Sequence, residues 1–172
     1  ARDPVGGFIM TAYRAPLTDM HFLLTEVFKA NAVFAAMPGT AEVSADLVSA
    51  ILVEAGKISE HLLSPINQSG DQQACQWNEG FVTTPTGFKD AYKAYAEGGW
   101  AGLTGHVDFG GQGMPKLLSA QIEEMFFGAN SSFALYAILN TGATLTISEH
   151  ASAELKERYL PKMYEGEWSG TM

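Results

Sequence analysis

The sequence predicts an all-α protein: an orthogonal or up-down helical bundle of five to seven helices with two long loops. Apolar residues recur at intervals of three or four over long stretches, the period of an amphipathic helix. No stretch of useful length alternates apolar and polar residues as a half-buried strand does. Glycine- and proline-rich segments separate the periodic stretches. A chain of 172 residues is long enough for one domain with its own core.

The first third of the chain predicts two helices. Residues 1–18 are rich in Gly and Pro and form an irregular N-terminal extension in this prediction. Asp19 can cap a first helix, and Pro38-Gly39 ends that region. Thr40 can cap a second helix, which Pro65 closes. The apolar stripe of that second helix consists of Val43, Leu47, Ile51, Ala55, Ile58 and Leu62.

The middle of the chain predicts one helix between two loops. Residues 64–85 are polar and form the first long loop, with a short extended piece at 81–84. Thr86 can cap the third helix, and Gly98-Gly99 ends it. Residues 98–114 contain seven glycines and form the second long loop.

The last third predicts the most strongly apolar helices. Pro115 suits the first turn of a fourth helix. Residues 125–147 carry no charge, and we expect two helices there with a break near Gly142. This stretch is long enough to span a bilayer, but its Asn, Ser, Thr and Gly residues favour buried helices of a non-membrane protein. Ser152 can cap a last helix, which Pro161 stops.

Composition and charge exclude several classes of function. A net charge of −9 opposes binding to nucleic acid or to an anionic membrane surface. The single cysteine, Cys75, fits a reducing compartment, and no signal peptide opens the chain, so we expect a cytoplasmic protein. The four histidines lie far apart without a metal-ligand spacing, so no metal site is expected.

No residue pattern points to a catalyst. The glycines at 110–113 lack the spacing of a phosphate-binding loop and are better explained by a tight turn before Pro115. Glu123 and Glu124 are neighbours on a helix and point about 100° apart, so they cannot act together as an acid–base pair. The residues alone therefore indicate an all-α domain without a recognisable active site.

Several motifs, taken in order, carry a resemblance to a known family. They are YRAPLTDM at 13–20, GFVTTPTGF at 80–88, GGW at 98–100, GGQGMP at 110–115, EEM at 123–125, LKERYLPK at 155–162 and GEWSGTM at 166–172. Together they cover residues 13–172 and resemble the amino-terminal helical domain of the acyl-CoA dehydrogenase family. Within it they are similar to a branch that includes 3-(methylthio)propanoyl-CoA dehydrogenases.

The resemblance implies a larger enzyme of three parts. FAD lies between a middle β-domain and a carboxy-terminal helical domain, which also carries the catalytic glutamate, so no catalytic residue is expected in this chain. The resemblance implies a helical domain over residues 19–166, followed at 167–172 by the start of a strand that leads into the β-domain. Met172 matches the first residue of the strand that touches the flavin. It also implies an acyl-CoA substrate, an electron-transferring flavoprotein as electron acceptor and a homo-oligomer.

The resemblance also implies a contribution to substrate binding. In the family, the helix pair around the uncharged stretch lines the acyl pocket, and the matching positions are Ala134, Leu135, Ala137, Ile138 and Thr141. Small side chains leave room for an acyl tail, and pockets for such ligands are largely apolar. Ordinary helix packing would use the same side chains.

Two other interpretations remain open at this stage. A free-standing helical binding module would leave no large apolar surface uncovered, whereas part of a larger enzyme would expose one. A relative with oxidase or other activity would share the helical domain, and only a carboxy-terminal region could distinguish it.

Overall fold

The computed structural model describes residues 12–171 and confirms the all-α class. Within these residues the chain forms eight α-helices and one small hairpin, and a π turn at Ser59–Leu63 and a 3₁₀ turn at Ser64–Ile66 join the third helix to the fourth. The first half contains α1 (Leu17–Phe22, extended by a π turn at Leu23–Val27), α2 (Ala30–Ala36), α3 (Ala45–Ile58), α4 (Asn67–Gln73), β1 (Gln76–Asn78) and β2 (Phe81–Thr83). The second half contains α5 (Phe88–Glu97), 3₁₀ turns at Trp100–Gly102 and Val107–Phe109, α6 (Lys116–Ala129), α7 (Ser131–His150) and α8 (Ala153–Tyr164).

The core is centred on α6, which packs against both α3 and α7, and α8 packs against α7. Leu52, Leu63, Leu118, Met125 and Leu160 are fully buried. Each such side chain contributes on the order of 2 kcal/mol through removal from water.

The stripe predicted for the second helix was largely displaced from the core. Of its six residues, Val43 and Ala55 are buried, Ile51, Ile58 and Leu62 are half-buried and Leu47 is exposed, whereas the neighbouring Leu52 and Leu63 are fully buried.

Two glycines allow the segment before α1 to cross the bundle. A Cβ at Gly56 of α3 would lie 3.2 Å from the Ala15 Cβ, and one at Gly128 of α6 would lie 2.9 Å from the Tyr13 ring. Glu60 fixes this segment, because its carboxylate accepts a hydrogen bond from the Ala15 backbone N–H at 2.9 Å and one from Arg14 at 3.0 Å.

The predicted starts of the first two helices were wrong. The first helix begins at Leu17 rather than after Asp19, and it ends before Lys29, which adopts a left-handed conformation (φ 50°) and separates α1 from α2. Thr40 caps no helix, because its buried hydroxyl donates to the Phe34 carbonyl at 2.8 Å. Ser44 caps α3 instead, and its Oγ accepts from the Leu47 N–H at 3.2 Å.

The predicted loop at 64–85 was also largely wrong. Pro65 does not close the helix: it lies in the first turn of a 3₁₀ segment, where its missing N–H costs no hydrogen bond, and the chain stays helical to Gln73. An antiparallel hairpin follows, with Trp77 opposite Val82. The extended piece expected at 81–84 is confirmed as β2.

The expected cap of the third helix was wrong, but its end was right. Gly87 occupies the N-cap position of α5 with φ 89°, and no side chain, including that of Thr86, caps the helix. The helix ends at Gly98, as predicted. The glycine-rich loop at 98–114 is confirmed as the second long loop. It folds back on itself through backbone hydrogen bonds such as Gly113 N–H to the Gly105 carbonyl at 2.9 Å.

The uncharged stretch contains two helices as predicted, but the break is at Asn130 and not near Gly142, which lies inside α7. The Ser152 cap of α8 is confirmed, with its Oγ accepting from the Leu155 N–H. Pro161 does not stop α8, which continues to Tyr164, because burial of Met163 and Tyr164 holds its last turn against the bundle. Among residues 12–171, no helix has both the length and the apolar character needed to cross a membrane.

Candidate functional site

A small cavity of about 40 Å³ lies between α6, α7 and the loop that follows α5. Apolar side chains dominate its wall, and a few polar groups interrupt them. The lining residues are Tyr95, Trp100, Ala101, Leu103, Thr104, Ser119, Ile122, Glu123, Phe126, Phe127, Ala134, Ala137, Ile138 and Thr141. A mostly apolar wall with a few polar groups is typical of a small-molecule pocket.

Four of the five residues predicted for a pocket lie together on this wall. Ala134 and Ala137 are buried, and Ile138 and Thr141 are half-buried. Their spacing of three and four residues places them on one face of α7. Leu135 does not line the cavity and is 56% exposed on another face of the helix. Met172, predicted near the flavin, lies outside the described residues. Contact of these residues with a ligand stays a prediction.

Asn130 sets the position of α7 relative to α6. Its Oδ1 accepts from the Phe133 N–H at 3.1 Å and caps α7, while its Nδ2 donates to the Leu63 carbonyl at 3.2 Å. The side chain is only 1% exposed. The helix break therefore occurs at a buried residue that satisfies its own polar groups, and α7 starts anew beside the cavity.

Aromatic side chains form the bulkiest part of the cavity wall. The rings of Trp100 and Phe126 meet edge to face at 5.9 Å, and Tyr95 contacts both Phe126 (6.2 Å) and Phe133 (5.7 Å). Burial, followed by the nearby charges of Tyr92 and Glu123, raises the pKa of Tyr95. Tyr95 is therefore a neutral phenol at physiological pH, and the aromatic side chains of the wall carry no charge.

The polar groups of the wall come from Thr104, Ser119, Glu123 and Thr141. Of these four residues, only Thr141 was predicted for the pocket from the sequence. Glu123 was expected only as the helical neighbour of Glu124, and nothing in the GGW motif at 98–100 indicates that Trp100 belongs to a cavity wall. A helical wheel of α6 would have placed Ser119, Ile122, Glu123 and Phe126 on one side, but no sequence pattern shows that the glycine-rich loop closes over them.

The end of the described chain is held against α5 and α7 by a second group of contacts. The hydroxyl of Tyr92 donates to the Gly166 carbonyl and that of Tyr136 bonds to the Ser169 Oγ, both at 2.8 Å. Asn140 accepts from the Gly170 N–H at 3.0 Å and donates to the Met163 carbonyl at 3.1 Å. Burial, with the neighbouring Tyr136, raises the pKa of Tyr92 to about 12. Residues 166–170 are thereby fixed alongside α7.

The groove between α4, the hairpin, α5 and α7 offers little to hold a dinucleotide cofactor. Its volume is about 800 Å³, and it is lined mainly by apolar and aromatic side chains, with Lys89 as its single cation and Asp71 as an opposing charge. One ammonium beside a carboxylate is a weak anchor for a pyrophosphate. Within residues 12–171, no three His, Cys, Asp or Glu side chains group as metal ligands would.

The fold and the cavity define a helical domain with an apolar pocket between two long helices. Residues 66–167 match the family described as acyl-CoA dehydrogenase, N-terminal domain. The chain belongs to the acyl-CoA dehydrogenase family.

Relatives from two bacteria agree with this assignment. Over 160 residues, or 93% of the chain, it is 32% identical to 3-methylmercaptopropionyl-CoA dehydrogenase of Ruegeria pomeroyi. Over 163 residues, again 93% of the chain, it is 34% identical to a butyryl-CoA dehydrogenase of Syntrophomonas wolfei subsp. wolfei. The chain spans only 27% of the length of each of these relatives.

Proposed function

We propose that these residues form the N-terminal helical part of a longer FAD-dependent acyl-CoA dehydrogenase, which removes hydrogen from the α and β carbons of an acyl-CoA thioester. The cavity between α6 and α7 takes the acyl tail. The single observation that carries this proposal is that Ala134, Ala137, Ile138 and Thr141, assigned to the acyl pocket by family resemblance, lie together on one cavity wall.

The same proposal assigns the chemistry to segments outside this chain. FAD accepts the hydride in such a reaction, and we expect its site to lie in those segments, so that the chain alone is inactive. The net charge of −9 likewise makes this domain a poor anchor for the phosphates of CoA. What the chain contributes is a water-excluding wall that orients the tail. Leu135, exposed beside that wall, packs against a further segment of the enzyme.

The proposal is tested first by reading the gene beyond the codon for Met172 and producing both the full protein and the 172-residue chain. We expect the full protein to bind flavin and to oxidise an acyl-CoA with an artificial electron acceptor, and the chain alone to be colourless and inactive. A stop codon directly after Met172 would contradict the proposal. Reduction of an electron-transferring flavoprotein and the oligomeric state of the full protein test the proposed partners.

The pocket itself is tested by narrowing it. Ala137→Leu adds three carbon atoms to a buried position of the wall, so kcat/KM for the preferred acyl-CoA should fall about tenfold or more. Ala120→Leu makes the same change at an exposed position of α6 and should leave kcat/KM unchanged. Equal kinetics for the two variants would exclude this cavity as the acyl pocket.

A free-standing helical binding module is the second candidate. A module of this kind should cover its own apolar surface, yet the described residues leave many large apolar side chains exposed. That exposure favours the enzyme domain. A compact monomer of the 172-residue chain that binds no hydrophobic dye would favour the module.

A further inference from the structure

The part of the pocket that the described residues enclose has room for only a short acyl tail. A space needs on the order of 10–15 Å³ to hold one water-sized group, so about 40 Å³ accommodates about three or four such groups. A methylene is similar in size to a water molecule. The space between α6 and α7 therefore fits a tail of about four carbon atoms.

Trp100 separates this cavity from a larger cleft. It lines both the 40 Å³ cavity and a neighbouring cleft of about 240 Å³, which Ile51 and Glu54 of α3 also line. Leu103 is the other residue common to both walls. The indole packs edge to face on Phe126, and Gly98 leaves it the space to lie there, because a Cβ at Gly98 would approach the indole nitrogen to 2.5 Å.

The opposite side of the cavity has a thinner boundary. Ala101, Thr104 and Thr141 line both the cavity and a cleft of about 380 Å³ near Tyr164. These side chains are small, so truncating any one of them frees little volume. Trp100 is the largest side chain shared between the cavity and a neighbour, and shortening it creates the most new space.

We propose that Trp100 determines acyl-chain length by closing the cavity, so that the enzyme takes short-chain acyl-CoA thioesters in preference to long ones. This inference rests on the proposed function. It names a specificity-determining residue on the cavity wall and assigns no chemical step to it. Removal of the indole joins the cavity to the cleft beside α3 and opens a path for a longer tail.

The test compares butyryl-CoA with dodecanoyl-CoA as substrates of the flavin-loaded full-length protein. For the unmodified protein we expect kcat/KM for butyryl-CoA to exceed that for dodecanoyl-CoA by at least about tenfold. Trp100→Leu keeps an apolar residue but removes the indole, and it should reduce that ratio by about tenfold or more. Trp77→Leu, at a tryptophan 73% exposed on the hairpin, is the matched control and should leave the ratio unchanged.

The outcomes separate the two levels of the proposal. A preference for dodecanoyl-CoA in the unmodified protein, or an unchanged ratio in a Trp100→Leu variant that unfolds as cooperatively as the parent, overturns the inference and leaves the dehydrogenase proposal standing. Absence of oxidation for every acyl-CoA by flavin-loaded protein overturns the dehydrogenase proposal itself. If Trp100→Leu fails to fold, Trp100→Phe provides a smaller enlargement, and its ratio should change in the same direction.

Discussion

Single glycines differ sharply in what an added methyl group would meet. At Gly142, inside α7, nothing lies within 4 Å of an added Cβ, whereas at Gly170 the Cβ would meet that of Ala143. Gly142→Ala should therefore stabilise the chain by about 0.5–1 kcal/mol, since alanine is the better helix former. Gly170→Ala should destabilise it. Urea unfolding measures both changes in stability. Destabilisation by Gly142→Ala would show that the space beside this position is not free.

The carboxylate of Glu60 makes stability depend on pH. The Ala15 backbone N–H first, and Arg14 second, hold the pKa of Glu60 below its usual value. Because the pKa of Glu60 is lower in the folded state, its ionised carboxylate stabilises the fold at pH values above the unfolded pKa of about 4.3. This stabilisation is lost as the pH falls through the folded pKa.

As the pH falls from about 5 through the titration range of glutamate, the free energy of unfolding should therefore decrease less in Glu60→Gln than in the parent. Glu42→Gln removes a carboxylate at an exposed position that has no ion pair among the described residues, and it serves as the control. Parallel pH profiles for the parent and Glu60→Gln would contradict the assignment.

At the scale of elements, the junction between α6 and α7 depends on one side chain. Replacing Asn130 by Ala removes the α7 cap and leaves the Leu63 carbonyl without its donor, at a cost of about 2 kcal/mol. Asn130→Ser keeps a cap acceptor and should cost less. Asn31→Ala, at an exposed residue of α2, should stay within about 0.5 kcal/mol of the parent. A loss no larger than that of Asn31→Ala would exclude this role.

The segment after α8 depends on Asn140 in the same way. Asn140→Ala removes the acceptor of the Gly170 N–H, so amide hydrogen exchange over residues 166–171 should accelerate while that of α3 stays slow. Mass spectrometry of the exchanged peptides measures this change. Uniform acceleration across the bundle would instead indicate global destabilisation.

The elements that could be predicted from sequence are those with local causes. The Ser152 cap and the glycine end of α5 each depend on residues close in the chain. The face that α3 buries depends on its neighbours, and the predicted stripe missed Val48 and Leu52. The error at Pro65 has a local cause, because proline is tolerated in the first turn of a helical segment. The errors at Thr40 and Pro161 have another origin. Both residues have a strong local preference, but a carbonyl outside the predicted helix, or burial of the following residues, decided what the segment does.

Only the cavity residues on one face of α7 were expected from the sequence. The family resemblance assigned Ala134, Ala137, Ile138 and Thr141 to a pocket; they line one cavity, and their contact with a ligand stays a prediction. Trp100, Thr104 and Ser119 come from a loop and a second helix, and their approach depends on how the glycine-rich loop packs. Leu135 is adjacent in sequence yet faces elsewhere, because one residue turns a helix by about 100°.

For the whole molecule, exposed apolar surface is the most testable property. Large apolar side chains are exposed on the first two helices, the hairpin and α7; they include Phe22, Phe28, Trp77, Phe81, Leu135 and Leu145. The 172-residue chain should therefore bind a hydrophobic dye in its native state while still unfolding cooperatively. Fluorescence titration and a denaturation curve on the same sample measure this. A native chain that does not increase the fluorescence of the dye would favour the free-standing module.

The tryptophans are placed so that each reports on a different region. Trp77 stands in water on the hairpin, Trp168 lies beneath the Lys162 ammonium at 4.9 Å, and Trp100 forms part of the cavity wall. Indole emission moves to shorter wavelength as water leaves its surroundings. In a variant with phenylalanine at positions 77 and 168, Trp100 is the single tryptophan. The wavelength of its fluorescence emission would then report the filling of the cavity in real time without any attached label.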